Sequence, residues 1–380
     1  MMGARSGGVL VVVLAGGSGG RLGPLTQRRA KPSLPFAGMY RLIDIALSNV
    51  AHSGIDDVWV LEQYEPHALN DHLANGRPWD LDRTHGGLRI LPPFQRRDGE
   101  ETMAEGNADA LVKHRQLLAE ADPEVIVTMS ADHLFQLDLR GPLATHRECQ
   151  ATLTIVTTDP PADDDPTRFA WVDVAGNDVV GFEYKPEEPS GDRVCTEVFV
   201  FDAGQLLAQL EMLPDDGSAG DYGDALLPAF VAGGGVVEHR HDGYWRDVGT
   251  IAAYHRAHME LVADDPPLRL DDPDWPLLTG SIIGGPARVD AGAELADSLL
   301  SPGVVVQGTV ERSVLGRDVV VEAGAVVRAS VVLDGATVRT GAVVEQAIVD
   351  LGMTVDAHDR GQHDDSGITL FTHEHSTSDA

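Results

Sequence analysis

The amino-acid sequence predicts an α/β domain built on a mainly parallel sheet, followed by a left-handed parallel β-helix. Two observations predict it. From Val9 to about His258, short apolar runs alternate with segments of helical periodicity. From Ser281 to Val355 helix signals almost vanish, and branched apolar residues recur about every six positions, at Val320, Val326, Val332, Val338 and Val344. Strand–helix alternation argues for a parallel sheet covered on both faces. A six-residue apolar period is the mark of stacked coils, none of which can bury its apolar side alone. Gly303, Gly308, Gly324, Gly335 and Gly341 punctuate those coils. A plain β-sandwich would instead alternate strictly in twos.

The elements follow in order. Val9–Leu14, Val58–Leu61, Val125–Met129, Thr152–Thr158 and Glu197–Phe201 read as strands. In "YRLIDIALSNVAHSG" Leu42, Ala46 and Val50 share one helical face, and Gly54 stops the helix. In "GNADALVKHRQLLAE" Asn107 reads as the N-cap and Leu111 and Leu118 as the buried face. The Pro- and Asp-rich "ADDPPLRLDDPDWP" reads as a linker. The expected organisation is therefore an α/β domain over 1–260, a linker over 261–280, hexapeptide coils over 281–356 and a tail over 357–380. The tail is polar and expected to fray apart from "GITLF".

Charge narrows the function. The 380 residues include 60 acidic and 28 basic side chains, a formal net charge of −32. Binding to a phosphate backbone runs on Lys and Arg, so nucleic acid is excluded as a partner. The acid reads as a solvated surface, with clusters at Asp163–Asp165 and Asp264–Asp274. No apolar run reaches the roughly 18 residues a membrane helix needs, so no membrane partner is expected. Two cysteines, Cys149 and Cys195, suit a reducing cytoplasm.

The stretch "LAGGSGGRLGPLT" carries five glycines in eight residues, directly after the strand "VLVVVL". A strand running into a glycine-rich turn lets backbone N–H groups approach phosphate oxygens. The dinucleotide fingerprint fails, because its last glycine position holds Leu22. The Walker A loop fails too, because the chain has no Gly-Lys pair. What remains is G-G-x-G-x-R-L-x-x-L-T, with Arg21 inside the turn and Lys31 ten residues on.

With these segments on the page, the chain resembles the sugar-1-phosphate nucleotidyltransferases. "RRAKP", "RLIDIALSN", "ILPPFQRR", "SADH" and "YWRDVGT" together make it similar, more narrowly, to the glucose-1-phosphate adenylyltransferase family. The resemblance covers nearly the whole chain. It implies that ATP and glucose 1-phosphate give ADP-glucose and pyrophosphate, for α-glucan synthesis. Such phosphoryl transfer rests on positioning and charge neutralisation. The implied cofactor is Mg²⁺, which takes one or two carboxylates and keeps waters. The resemblance assigns it to Asp132, which follows the strand "VIVTMS", and to Asp247 in "YWRDVGT". Taken alone, either Asp would read as a turn or cap residue.

The remaining assignments follow the same resemblance. Gly16, Gly17, Gly19 and Arg21 form the nucleotide loop, with Arg21 at the pyrophosphate. Lys185 in "YKPEEP" holds the sugar phosphate, and Glu197 lies on the sugar side. Arg21, Lys185 and Asp132 make the catalytic set. Gln95 in "FQRR" and Gly106 in "EGNADA" face the base. Lys31 matches a lysine tied to either triphosphate or activator binding, and the residues leave the two open. Asp109 reads as fixing a helix N-terminus. His133 and Trp245 read as structural neighbours. A homotetramer with allosteric control is the family expectation.

The match breaks mainly around the sugar. Glu105 and Asn107 replace the Arg and Thr of R-G-T-A-D-A, and Ala131 replaces the Gly of G-D-H. Phe169-Ala170-Trp171 stands for Phe-Gly-Val, Tyr184 for a Glu, Cys195-Thr196-Glu197 for Ser-Met-Gly, and Ala225 for an acidic residue. A pocket that loses hydroxyl partners loses discrimination. The alternatives are an enzyme using a different sugar 1-phosphate or a non-catalytic or weakly catalytic regulatory paralogue. An acyltransferase role for the β-helix is disfavoured, since Ser281–Val355 contains no histidine.

Overall fold

The computed structural model describes residues 8–16, 19–92, 104–216, 218–280 and 284–373. They form two compact units. The first takes the N-terminal strand and Ile45–Trp245; the second takes Gly19–Asp44 and the chain from Arg246 onward.

The first unit is organised by nine strands: β1 (Val9–Ala15), β2 (Asp57–Glu62), β3 (Gly87–Leu91), β4 (Val125–Ser130), β5 (Leu153–Thr158), β6 (Ala170–Ala175), β7 (Asp178–Tyr184), β8 (Arg193–Asp202) and β9 (Val236–Arg240). Their order in one sheet is β3-β2-β1-β4-β8-β5-β9-β7-β6. β3, β2, β1 and β4 pair in parallel, as do β5 and β9. β8 runs antiparallel between β4 and β5, and β7 runs antiparallel to its neighbours β9 and β6. Seven strands therefore share one direction, which preserves the mainly parallel character read from the alternation. β1 is buried on both faces, as its unbroken run "LVVVLA" requires.

The helices are α1 (Leu42–His52), α2 (Pro66–Leu73), α3 (Asn107–Ala121), α4 (Arg140–Glu148), α5 (Ala203–Met212), α6 (Leu227–Gly233) and α7 (Ile251–Leu261). Leu111 and Leu118 of α3, Leu206 and Leu210 of α5 and Phe230 of α6 join Leu10, Val12, Ile126, Phe199 and Phe201 in one core. No helix among the described residues is long and apolar enough to cross a membrane.

One cap differs from expectation. Asn107 is the first residue of α3 and not its cap, and Gly106 precedes the helix without a side-chain cap. The orphan N–H of Asn107 donates instead to Asp221 Oδ1 at 3.0 Å. A carboxylate distant in sequence satisfies the helix end that a local side chain was expected to satisfy.

In the second unit, three parallel sheets stack the coils of the β-helix. Val305 pairs with Val320, and Val320 with Thr337, so coils of 15 and 17 residues follow one another. This corrects the phase of the repeat. The inward residues are Val321, Val327, Val332, Val338, Val344, Val349 and Val355, whereas Val320 and Val326 are half-buried neighbours. A 17-residue coil has one side shorter by a residue than three equal sixes. A strict six-residue period therefore slips by one position, and one position turns a side chain to the opposite face. Within the tail, Thr369–Phe371 of "GITLF" pairs in parallel with Ala347–Val349, and Gln362–His363 pairs back onto it. Leu370 and Phe371 are buried by that pairing.

Candidate active site

In the first unit the site is laid out where β1, β2 and β4 end, outside the carboxyl ends of parallel strands. Gly16 follows β1. A Cβ there would lie 2.7 Å from Gln63 Cδ, so the side chain of Gln63 occupies the space glycine leaves open. With its amide nitrogen turned inward, Gln63 donates to the carbonyls of Gly16 at 3.0 Å and Ala104 at 3.1 Å. The neighbouring Glu62 is buried. It accepts from Asn70 Nδ2 at 3.1 Å, and its Oε1 has no partner among the described residues. Burial pushes its carboxyl up to about 7.

Asp132 stands just beyond β4. Ser130 Oγ donates to its Oδ1 in a close hydrogen bond. His133 Nε2 lies 3.9 Å from Asp132 Oδ1 and 3.9 Å from Glu197 Oε2, so it stands between the two carboxylates. The His133 ring is fixed from behind: Nδ1 donates to the Thr196 carbonyl at 3.1 Å, and its edge packs on Trp245 with centroids 5.3 Å apart. The structural role expected of His133 and Trp245 describes these contacts. Asn49 of α1 steadies the segment beyond Asp132. Its amide donates to Phe135 O at 3.0 Å and accepts from Leu137 N at 3.2 Å.

Glu197 reaches this cluster through a β-bulge. The register of β8 shifts between Cys195 and Phe199, and Glu197 takes the left-handed conformation with φ 58°. Bulges re-aim side chains next to sites. Lys185, just beyond β7, is also left-handed, with φ 47°. Such conformations cost energy in non-glycine residues and concentrate at functional sites.

Lys185 Nζ donates to Tyr184 Oη at 2.6 Å and lies 4.4 Å from the centre of the Tyr184 ring. Tyr184 Oη donates to Asp221 Oδ2 at 2.7 Å. Burial, reinforced by that bond, raises the phenol far above its ordinary range, so it stays protonated. Gly106 lies against the same turn. A Cβ on it would come within 2.4 Å of Gly220 C, which leaves room for nothing larger than glycine. Asp109 fixes this end of α3, as expected: it accepts from Glu105 N at 3.1 Å and pairs with Lys113 at 2.7 Å.

The second unit begins within the glycine-rich stretch, at Gly19. Gly19 is left-handed with φ 63°, and its carbonyl accepts from Thr26 Oγ1 at 2.9 Å and Leu22 N at 2.8 Å. Arg21 is exposed in the turn that follows. Lys31 is buried and pairs with Asp247 Oδ1 at 3.5 Å. Arg29 forks onto Asp350 of the β-helix at 2.9 and 3.2 Å. Arg41 and Arg317 share Asp334, at 3.2 and 2.7 Å. The stretch "RRAKP" is thus tied into the coils through Arg29.

The first unit therefore gathers Asp132 with Glu197, and Lys185 with the turn facing Gly106. The second unit gathers Lys31 with Asp247. Gly17 and Gln95 lie outside the described residues. Asp132 in the first unit and Asp247 in the second each offer hard carboxylate oxygens of the kind a divalent metal ion takes, with side chains only 16% and 13% exposed. Among the described residues no group of three or more His, Cys, Asp or Glu side chains is arranged as an all-protein cage. A one- or two-carboxylate site needs none. Both cysteines are free. Sequence reading missed Ser130, Asn49, Gln63 and Asp221, which act only through their neighbours in space. Asn49 lay inside the quoted "RLIDIALSN" and Ser130 inside the quoted "SADH", the signals by which those two could have been found.

Known protein families match the chain in two consecutive stretches. The family described as nucleotidyl transferase matches residues 10–264, and that described as GlmU-like, C-terminal hexapeptide, matches 286–368. A protein of Thermotoga maritima named glucose-1-phosphate adenylyltransferase is 40% identical over 327 residues, 85% of this chain and 77% of its own. Proteins of the same name from Thermotoga neapolitana and Clostridium beijerinckii are 41% and 37% identical, covering 77% and 84% of their own lengths.

Proposed function

The chain belongs to the nucleotidyl transferase family, among the glucose-1-phosphate adenylyltransferases, and from that premise we propose that it joins ATP and glucose 1-phosphate into ADP-glucose and pyrophosphate. The observation that carries the proposal is the set at the carboxyl end of the sheet: Asp132 braced by Ser130 and facing His133 and Glu197, with Lys185 held in a strained conformation nearby in the chain's order.

An oxygen of the sugar phosphate attacks the α-phosphorus of ATP. The bond to the bridging oxygen breaks, and the β- and γ-phosphates leave as pyrophosphate. Little covalent chemistry falls to the protein, so its residues position charge. Lys185, exposed just beyond β7, meets the acceptor phosphate with its ammonium. Arg21 and the backbone of Gly16 and Gly19 receive the triphosphate, and Gly106, packed on the backbone of Gly220 and Asp221, holds the start of α3 beside the base. Lys31 neutralises phosphate or pairs with Asp247 as the charge around it changes. Asp132 and Asp247 would hold Mg²⁺, which supplies neutralisation of charge developing on the transferring phosphate. Glu197, on its bulge, orients the sugar.

The test is pyrophosphate release by the purified chain with Mg²⁺, ATP and a panel of sugar 1-phosphates. Glucose 1-phosphate is expected to support release, and Asp132→Asn to reduce it at least a hundredfold, about the effect of deleting one electrostatic stabiliser. Release with another sugar alone, or none from folded protein, would overturn the proposal.

A further inference from the structure

Tyr184 occupies a place in the site that none of the roles above requires. Its oxygen is a node between two otherwise separate parts. On one side it accepts from Lys185 Nζ at 2.6 Å; on the other it donates to Asp221 Oδ2 at 2.7 Å. Asp221 Oδ1 then accepts from Asn107 N at 3.0 Å, at the start of α3 and directly after Gly106. The turn carrying Asp221 is rigid. Its own N–H is bound by Asp224 Oδ2 at 2.7 Å, and Asp109 N donates to Gly220 O at 3.1 Å. The ring is fixed as firmly as the hydroxyl: Gly223 lies so close that a Cβ there would fall 2.0 Å from Tyr184 Cγ. The ammonium of Lys185 is held by both, through its bond to the oxygen and its position 4.4 Å from the ring centre.

We propose that Tyr184 is the positioning residue for the acceptor phosphate, fixing the Lys185 ammonium and tying it through Asp221 to the nucleotide-facing end of α3. The polarity of the chain makes this work. A phenol that donates to a carboxylate becomes a better acceptor, so the Lys185–Tyr184 bond is strengthened by the Asp221 bond. A flexible lysine, exposed here, would otherwise lose rotamer freedom when it meets an anion, and Tyr184 removes that cost in advance. The hydroxyl already donates once and accepts once, so its effect falls on the phosphate end of the acceptor and not on the hexose hydroxyls.

This inference rests on the reading of Lys185 as the acceptor-phosphate lysine, and the experiment separates the two. Tyr184→Phe keeps the ring against Gly223 and under the ammonium while removing both hydrogen bonds. Binding of glucose 1-phosphate by calorimetry and steady-state kinetics are measured on the full chain, with melting temperature as a check on folding. The expected result is a roughly tenfold rise in both Kd and KM for glucose 1-phosphate, with kcat and the KM for ATP within about twofold and the melting temperature nearly unchanged. Unchanged Kd and KM for glucose 1-phosphate would overturn the inference. So would a variant in which both KM values and the melting temperature worsen together, since that is the signature of a merely structural tyrosine. A parent chain that binds glucose 1-phosphate in a Tyr184-dependent way but releases no pyrophosphate would sink the proposed reaction and leave this inference standing.

Discussion

Glu62 holds a buried carboxyl one residue before Gln63, the side chain that ties Gly16 to Ala104. Burial raises its pKa from about 4.5 to about 7. The folded chain thus keeps this proton over a pH range in which the unfolded chain has released it. The resulting stability is complete below about 4.5 and is lost as pH rises through about 7. Glu62→Gln carries a permanent neutral amide whose oxygen can still accept from Asn70. The variant is expected to melt a few degrees above the parent at pH 8, the shift a change of about 1–2 kcal/mol gives a domain of this size. The gap should close near pH 4.5. A melting difference that does not change between those two pH values would show that the carboxyl's charge is not the cause.

At the scale of elements, the join between α3 and the 220–224 turn is made by backbone and not by side chains of the helix. Gly106 allows it by lacking a Cβ, and Asn107 N and Asp109 N donate across it. Two substitutions one residue apart should therefore behave oppositely. Gly106→Ala forces a methyl against the backbone of Gly220 and Asp221, so the helix must move off the turn. Its KM for ATP is expected to rise tenfold or more, with a cost of about 1–3 kcal/mol in stability. Asn107→Ala keeps the bond to Asp221, and its stability should stay within about 0.5 kcal/mol of the parent. Urea denaturation and ATP kinetics on the pair decide it, and equal effects from both would refute a backbone join. The same paragraph of sequence, "EGNADA", was legible as a helix start, but its cap was not. Asp221 lies 114 residues away and nothing local points to it.

Across the whole molecule, six histidines share one pattern. Burial lowers the pKa of His114, His146, His239, His241, His255 and His258, and that of His258 falls to about 4. His258 is fully buried as a neutral ring, its Nε2 accepting from Ala37 N at 3.2 Å and its Nδ1 donating to Tyr254 O at 2.8 Å. The unfolded chain takes up these protons near 6.5, so stability is complete above that pH and is lost as pH falls toward 4. The urea midpoint is expected to be clearly lower at pH 5 than at pH 7.5, and the loss should persist at high salt. Easing of the −32 net charge by acid would act the other way, and salt screens that contribution while leaving buried rings untouched. An equal midpoint at both pH values would remove the buried histidines as the cause.

The sequence by itself determined the two architectures, because their signals are periodic and local. An apolar run such as "LVVVLA" can only be a strand buried on both sides, and recurring valines can only be stacked coils. It also determined which stretches bear chemistry, because a glycine-rich turn after a strand and an Asp after "VIVTMS" carry their meaning in adjacent residues. Tertiary structure decided the rest. The inward phase of the coils depended on lengths of 15 and 17 residues in place of 18, which only the pairings of Val305 with Val320 and Val320 with Thr337 reveal. Whether Arg29 was open to phosphate or bound to Asp350 depended on a partner 321 residues away. The role of Tyr184 depended on Lys185, Asp221 and Gly223 converging on one ring. Hydrogen bonds and ion pairs act over a few ångströms of space, and the spacing of residues along a chain does not record which distant groups folding will bring within that reach.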